Sequence, residues 1–415
     1  MAASDQSIVV LGCFDTKGEV FAWLRECLLG QGERVLTINT GVLGTTDRFL
    51  VDIESEAVAE AAGTTLTDLR TRRDRGQAVD CMGRGAAKVL SGLVEEGKVK
   101  AVIGMGGGGG TYIALAAMQA VPLGTPKLCL STVAAKDLSR QVGDKDITLM
   151  PSVVDVAGLN SIIGPLVQQA AAAISAMAGV ARNATTASAG SIAISMFGNT
   201  TACVDACTEL LTRQGYEVLA FHATGVGGKT MEALIREGCF DAVLDLTTTE
   251  LADDLCGGIC SAGPERLTAA ARMGIPQVVV PGCLDMVNFA HPDTVPKPYR
   301  QREMYRWAPD VTLMRTNAEE NRQLGEQLAQ KLNPSAAPVA VLLPLKGISQ
   351  IDAGGGVFFR PETNRVLFDA IQTHAAEHIE VREVDAHIND QAFAEVLVQT
   401  LLDLIQKDKI TKTGT

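Results

Sequence analysis

Short apolar runs rich in β-branched residues recur along the chain, and each leads through a small-residue or hydroxyl-bearing loop into a stretch with helical spacing. Ile8-Val-Val-Leu11 is the first of these runs. It passes through Gly12-Cys-Phe-Asp-Thr-Lys17 into a helix, and a second strand follows over residues 34–41. The same strand, loop, helix and strand return over residues 192–225 at the same length. Three further matches follow in order: residues 100–104 with 241–245, 125–131 with 275–281, and 146–150 with 310–314. Strands alternating with helices predict parallel sheets covered on both faces. The repeat predicts two doubly wound, Rossmann-like α/β domains, placed at 1–185 and 186–415, with the boundary inside the Ser/Thr/Ala/Gly stretch 181–190. Further strands at 339–343 and 378–384 would extend the second sheet.

In such sheets ligands bind beyond the carboxyl ends of the strands, which directs attention to the loops there. The most unusual is Gly106–Gly110, five glycines between the apolar run 101–105 and the Ala/Leu-rich segment that begins at Thr111. Glycine permits positive φ and close approach of the backbone to a ligand, at an entropic cost that rises with each residue. A helix N-terminus adds free N–H groups and a favourable dipole for an anion. The run therefore reads as a phosphate cradle, with a tight strand-to-helix turn as the alternative. Gly104-Met-Gly106-Gly-Gly-Gly109 also fits Gly-x-Gly-x-x-Gly, but it follows a later strand than the dinucleotide fingerprint does. No Asp or Glu occurs between Glu96 and Asp137 to hold a ribose, so the NAD reading is set aside.

Other loops carry candidate chemistry. Lys17 suits a phosphate as a flexible point charge. Thr16 can donate to a phosphate or cap the helix, and Ser131 ends the next strand. Ala223-Thr-Gly225-Val-Gly227-Gly228-Lys229-Thr230 is a relaxed Walker A pattern, with Asp245 as its Walker B partner. It follows the second strand of its repeat, where P-loops are not normally found. His222 is a candidate acid or base, or a hydrogen-bonded structural residue. Thr247, Thr248 and Glu250 offer hydroxyls and a carboxylate, or a helix cap; Asp285 lies on a Pro-containing segment.

Composition narrows the partners. Over 415 residues the formal net charge is −12, and we read no block of basic residues, which argues against a nucleic-acid partner. The ten cysteines form no Cys-x-x-Cys pair, so a zinc site is not indicated and a reducing cytoplasm is expected. The N-terminus does not read as a signal peptide, and the most apolar helix is too mild for a membrane span.

Several longer stretches carry a resemblance: Cys13-Phe-Asp-Thr-Lys-Gly18, Gly104–Thr111, Ser152-Val-Val-Asp-Val-Ala-Gly-Leu-Asn160, Thr247-Thr-Thr-Glu250, Ser261-Ala-Gly-Pro264 and Pro281–Asn288. Together they resemble the Tm-1-like ATP-binding family, UPF0261, over essentially the whole chain. The resemblance implies a two-domain α/β fold, a homodimer, and ATP as ligand, alone or with Mg2+. The expected protein is then cytoplasmic. Gly106, Gly107, Gly108, Gly109, Gly110 and Thr111, with Thr16, Lys17 and Ser131, would bind the nucleotide. His222, Glu250 and Asp285 would act on a small acidic metabolite in the cleft between the domains. Gly225, Gly227, Gly228, Lys229, Thr230, Thr247 and Thr248 would form a second anion or substrate loop. A binding module without turnover, or a sugar-acid or phosphate-ester enzyme that uses no ATP, are the alternatives.

Overall fold

The computed structural model describes residues 6–180 and 188–413. The chain divides into two compact units, Met1–Asn183 and Ala184–Thr415. The expected boundary at 185 and 186 lies outside the described residues.

The first unit holds five strands: β1 (Ser7–Gly12), β2 (Val35–Asn39), β3 (Val99–Gly106), β4 (Lys127–Ser131) and β5 (Ile147–Pro151). All pair in parallel, in the order β2-β1-β3-β4-β5. The period-two geometry of a strand divides its apolar residues between two cores. Val9, Leu11 and Val102 pack with Met82, Leu90 and Leu115 on one face. Ile8, Val10 and Ile103 pack with Phe21, Leu24 and Val167 on the other. Burial on both faces is why these strands read as continuous apolar runs.

The second unit begins with β6 (Ser191–Met196), β7 (Glu217–His222), β8 (Ala242–Thr247) and β9 (Gln277–Gly282). An inserted antiparallel sheet follows, built from β10 (Met286–Phe289), β11 (Met304–Ala308) and β12 (Val311–Arg315). The main sheet resumes with β13 (Val339–Pro344) and β14 (Glu380–Val384) and has the order β14-β13-β9-β8-β6-β7, all parallel.

The internal repeat is real for four strands: β2-β1-β3-β4 and β7-β6-β8-β9 occupy the same places in their sheets. The match of 146–150 with 310–314 fails. β5 lies parallel beside β4, whereas β12 runs antiparallel between β10 and β11, and β13 is the neighbour of β9. A short half-buried run looks alike in parallel and antiparallel pairs, so local sequence could not separate the two. The strands expected at 339–343 and 378–384 are β13 and β14, which extend the sheet as anticipated.

Candidate functional site

The chain leaves β1 toward β2 on one side and later returns to β3 on the other, so the strand order reverses between β1 and β3. Beyond the carboxyl ends of these strands lies a cavity of about 730 Å³. That volume is in the range of small-molecule sites, and the position is where doubly wound sheets bind ligands. Every lining residue belongs to the first unit.

Gly107–Gly110 form one wall of this cavity. β3 ends at Gly106, and the helix Gly108–Met118 begins two residues later with Gly107 as its N-cap and no side chain capping it. The first N–H groups of a helix have no partner within it, so these point their positive ends outward. The expected positive φ is not the reason for the glycines, since none of the five adopts it. Packing explains only some of them. A Cβ on Gly106 would lie 2.9 Å from Gly110 Cα, and one on Gly104 would lie 2.8 Å from Ala114 Cβ. At Gly108 a Cβ would meet nothing within 4 Å. Glycine costs up to about 1 kcal/mol relative to alanine in a helix interior and less at its first residue, and at Gly108 neither φ nor packing calls for glycine.

Cations face the same space. Arg70, Arg73 and Arg75 line the cavity, and Arg75 Nη2 lies 3.5 Å from where a Cβ of Gly109 would stand. Arg70 is anchored by its Nε–H to the Val42 carbonyl, while Arg75 has no acceptor among the described residues. These arginines were not among the expected site residues. The signal was present in the run Arg70-Thr-Arg-Arg-Asp-Arg75, a local basic segment that contradicts the reading of no basic block. Apolar side chains, among them Leu69, Val79, Met82 and Ile113, complete the wall.

The loop after β1 is helical from Phe14 onward, with Lys17 displaced from helical backbone angles. Asp15, Thr16 and Lys17 all line the cavity. Lys17 is already engaged: its Nζ donates to the Val156 carbonyl at 2.6 Å and lies 3.7 Å from Asp155. Thr16 makes a long contact, 3.5 Å, with the Cys13 carbonyl. One Asp15 oxygen accepts the Leu43 N–H at 2.8 Å, while Oδ1 has no partner among the described residues. Cys13 also lines the cavity, and burial pushes its thiol above the ordinary range, so it is no ready nucleophile. Thr111 and Ser131 do not reach the cavity wall. Both are buried, and their hydroxyls hydrogen-bond each other at 2.6 Å, which ties the helix to β4.

The second glycine loop resolves differently. The helix Val226–Arg236 follows it, and the carboxylate of Glu250 fills its N-terminus. Glu250 Oε1 accepts the N–H groups of Gly225 at 2.7 Å and Gly228 at 3.1 Å. Packing accounts for each glycine here. Gly225 has φ +88°, a Cβ on Gly227 would stand 1.9 Å from the His222 carbonyl oxygen, and one on Gly228 would stand 2.0 Å from Glu250 Oε2. The Walker-like reading is therefore corrected: the protein's own carboxylate occupies the position a phosphate would need.

Glu250 is in turn held by Arg266, which is 1% exposed. Arg266 Nε donates to Glu250 Oε2 at 2.6 Å, its two terminal nitrogens bridge both oxygens of Asp245, and it reaches Glu232 Oε1 at 3.2 Å. Burial opposes the charge on this guanidinium, but the three carboxylates outweigh it and keep the group protonated. Glu232 also accepts backbone N–H groups at Leu267, Thr268 and Ala269. Asp245, the expected Walker B residue, takes the Ser195 hydroxyl at 2.7 Å. Thr247 and Thr248 bond Thr200 Oγ1 and the Val280 carbonyl, and Thr230 bonds the Val226 carbonyl. Lys229 is exposed.

The expected catalytic trio does not assemble. Glu250 is locked in this network. His222 is exposed and stacks edge-on against Phe197 at 5.6 Å, and Asp285 is buried elsewhere, accepting the Ser349 hydroxyl at 2.7 Å. No hydrogen bond joins any two of the three side chains. Among the described residues no group of three or more His, Cys, Asp and Glu side chains could hold a metal ion, and no helix is long and apolar enough to cross a membrane. No disulfide joins any of the ten cysteines, all of which lie among the described residues.

The fold and these loops define a protein of two α/β units, each with an all-parallel central sheet flanked by helices, the first carrying an uncapped glycine helix start in a cationic cavity. The chain belongs to the uncharacterised protein family UPF0261: the model of its N-terminal domain matches residues 6–183 and that of its C-terminal domain residues 190–405. It is 41% identical over 404 residues to a UPF0261 protein of Clostridium tetani, covering 97% of this chain and 100% of that one. A UPF0261 protein of Rhizobium meliloti is 41% identical over 96% of this chain and 98% of its own length. The tomato ToMV resistance protein Tm-1 is 38% identical over 342 residues, 81% of this chain and 45% of the tomato protein. The chain is thus homologous to the N-terminal region of the tomato proteins.

Proposed function

We propose that the chain binds a phosphorylated ligand, with ATP the leading one, in the cavity of the first unit. The observation that carries this reading is Gly108, a glycine with ordinary φ and open space beside it at an uncapped helix start facing the cavity. A bare backbone there lets a phosphate approach the N–H groups, and Arg75 supplies a counter-charge next to Gly109. Leu69, Val79 and Ile113 add apolar side chains to the cavity wall against which a base could pack. The residues fit a nucleotide phosphate without a metal cage, and Asp15, whose Oδ1 has no partner among the described residues, is a carboxylate on the cavity wall that could meet Mg2+. The second glycine loop does not compete, because Glu250 fills it.

Binding without turnover gains weight from the scattering of His222, Glu250 and Asp285. A small acidic metabolite is the substrate class to screen first, and a homodimer in the cytoplasm completes the proposal. Titration calorimetry with ATP tests it. Gly108→Asp places a carboxylate in the anion position and should abolish binding, and Arg75→Ala should weaken it about tenfold or more, the loss of one charge-assisted hydrogen bond. Lys229→Ala should leave it unchanged. Unchanged affinity in Gly108→Asp would sink the proposal. Phosphate release across a panel of carboxylates separates an enzyme from a binding module.

A further inference from the structure

The second unit leaves buried acceptors unsatisfied at one edge of its sheet. Asn199, just after β6, is 2% exposed, and Asp285, just after β9, is fully buried. Each keeps one side-chain oxygen, Asn199 Oδ1 and Asp285 Oδ1, with no partner among the described residues. A buried polar group left unpaired costs about 1–3 kcal/mol, so each calls for an explanation such as a water or a ligand.

A ring of contacts holds the two residues in place. Asn199 Nδ2 lies 3.8 Å from Sδ of Met286, the residue after Asp285. Ser349, beyond β13, donates its hydroxyl to Asp285 Oδ2 at 2.7 Å. His387, beyond β14, contacts the Ser349 carbonyl through Nε2 at 2.9 Å, and Asn389 donates its amide to the Asn199 carbonyl at 3.0 Å. Loops from β6, β9, β13 and β14 thus meet beyond the carboxyl ends of the strands, where doubly wound sheets bind ligands. The turn that presents Asp285 is strained: Cys283, fully buried, has φ +59°. Strain at a non-glycine residue persists where the surroundings hold a group in a required position.

The local charge fits the same reading. Arg315 is the cation here. It donates to the Phe358 carbonyl and to Asn364 Oδ1, and lies 3.7 Å from the buried Asp352. Burial first, and the charge of Asp352 second, hold the Asp285 carboxyl up to about 7, against the pull of Arg315.

We propose that this edge of the second unit is a binding site for a small molecule bearing hydroxyl or amine groups, with Asn199 and Asp285 as its hydrogen-bond partners. Asn199 Oδ1 is an acceptor, and Asp285 Oδ1 accepts when the carboxyl is ionised and donates when it is protonated, so the site suits hydroxyl or amine groups, which can do either. Its residues all belong to the second unit, whereas those of the nucleotide site belong to the first. Thermal unfolding of the full chain with glycerol, erythritol, ribose and ethanolamine as probes tests it. At least one probe should raise the unfolding temperature saturably, and Asp285→Asn and Asn199→Ala should each weaken its affinity about tenfold, as the loss of one buried hydrogen bond requires. A cooperative unfolding transition near the parent temperature without probe shows that both variants fold, and ATP affinity should stay unchanged in both. No response to any probe, or a response that survives both substitutions, would overturn the proposal. A single buried water bridging the two oxygens, with no probe displacing it, would do the same.

Discussion

Replacing Glu250 by alanine separates the two glycine loops most sharply. The substitution removes a carboxylate that accepts two backbone N–H groups and pairs with Arg266 at 2.6 Å, all fully buried. Breaking a buried ion pair costs about 3–5 kcal/mol. Arg266 keeps both oxygens of Asp245 and one of Glu232, which limits the loss on its side. The orphaned N–H groups of Gly225 and Gly228 add about 1–3 kcal/mol each unless water enters the vacated space. With water entering to satisfy those two groups, a net loss of about 3–5 kcal/mol follows, which for a unit of this size lowers the unfolding temperature by roughly 6–20 °C. Scanning calorimetry reads that shift. Formate or phosphate should restore part of it by refilling the helix start, while ATP affinity should remain that of the parent. A variant that keeps its unfolding temperature but loses ATP would refute the reasoning, because Gly225–Lys229 would then be the nucleotide loop.

The glycines of the first loop should behave unequally. Gly104→Ala and Gly106→Ala meet atoms at 2.8 and 2.9 Å and should each cost about 1–3 kcal/mol in urea unfolding, whereas Gly108→Ala should be neutral or stabilising by up to about 1 kcal/mol. Asp253, like Asp285, is held up to about 7, chiefly by burial. Their folded pKa values lie above the unfolded ones, so the stability they contribute is complete below about pH 4 and is lost as pH rises to about 7. Asp285→Asn should flatten the decline between pH 5 and 7 in urea titrations; an unaltered slope would count against it. Lys17→Met removes the bond to the Val156 carbonyl and should cost about 1–2 kcal/mol by thermal melting while weakening ATP through lost charge, and no change in either would show that Lys17 is idle.

The sheet was legible because Ile8–Leu11 and Val278–Val280 are apolar on both faces, and because the repeat placed β1–β4 and β6–β9 in register with one another. The glycine run was legible as a cavity wall, since a strand before it and a helix after it fix its position on the sheet edge. What lay beyond local sequence were partnerships between distant residues. Glu250 reaches Gly225 across 25 positions, and Arg266, in a Pro-Glu-Arg segment that looks like surface, is the buried centre of the network. Thr111 and Ser131 had the right chemistry and strand-end positions, but each turned out to satisfy the other. The arginines of residues 70–75 join the site only because the helix Arg75–Glu95 packs beside the glycine helix.

A crystal structure with a non-hydrolysable ATP analogue would locate the phosphates on one glycine loop or the other. Phosphate oxygens are expected at the N–H groups of Gly108–Gly110, with the Arg75 guanidinium beside them and Glu250 still bonded to Gly225 and Gly228. Phosphates seated on Gly225–Lys229, with Glu250 displaced, would contradict that expectation.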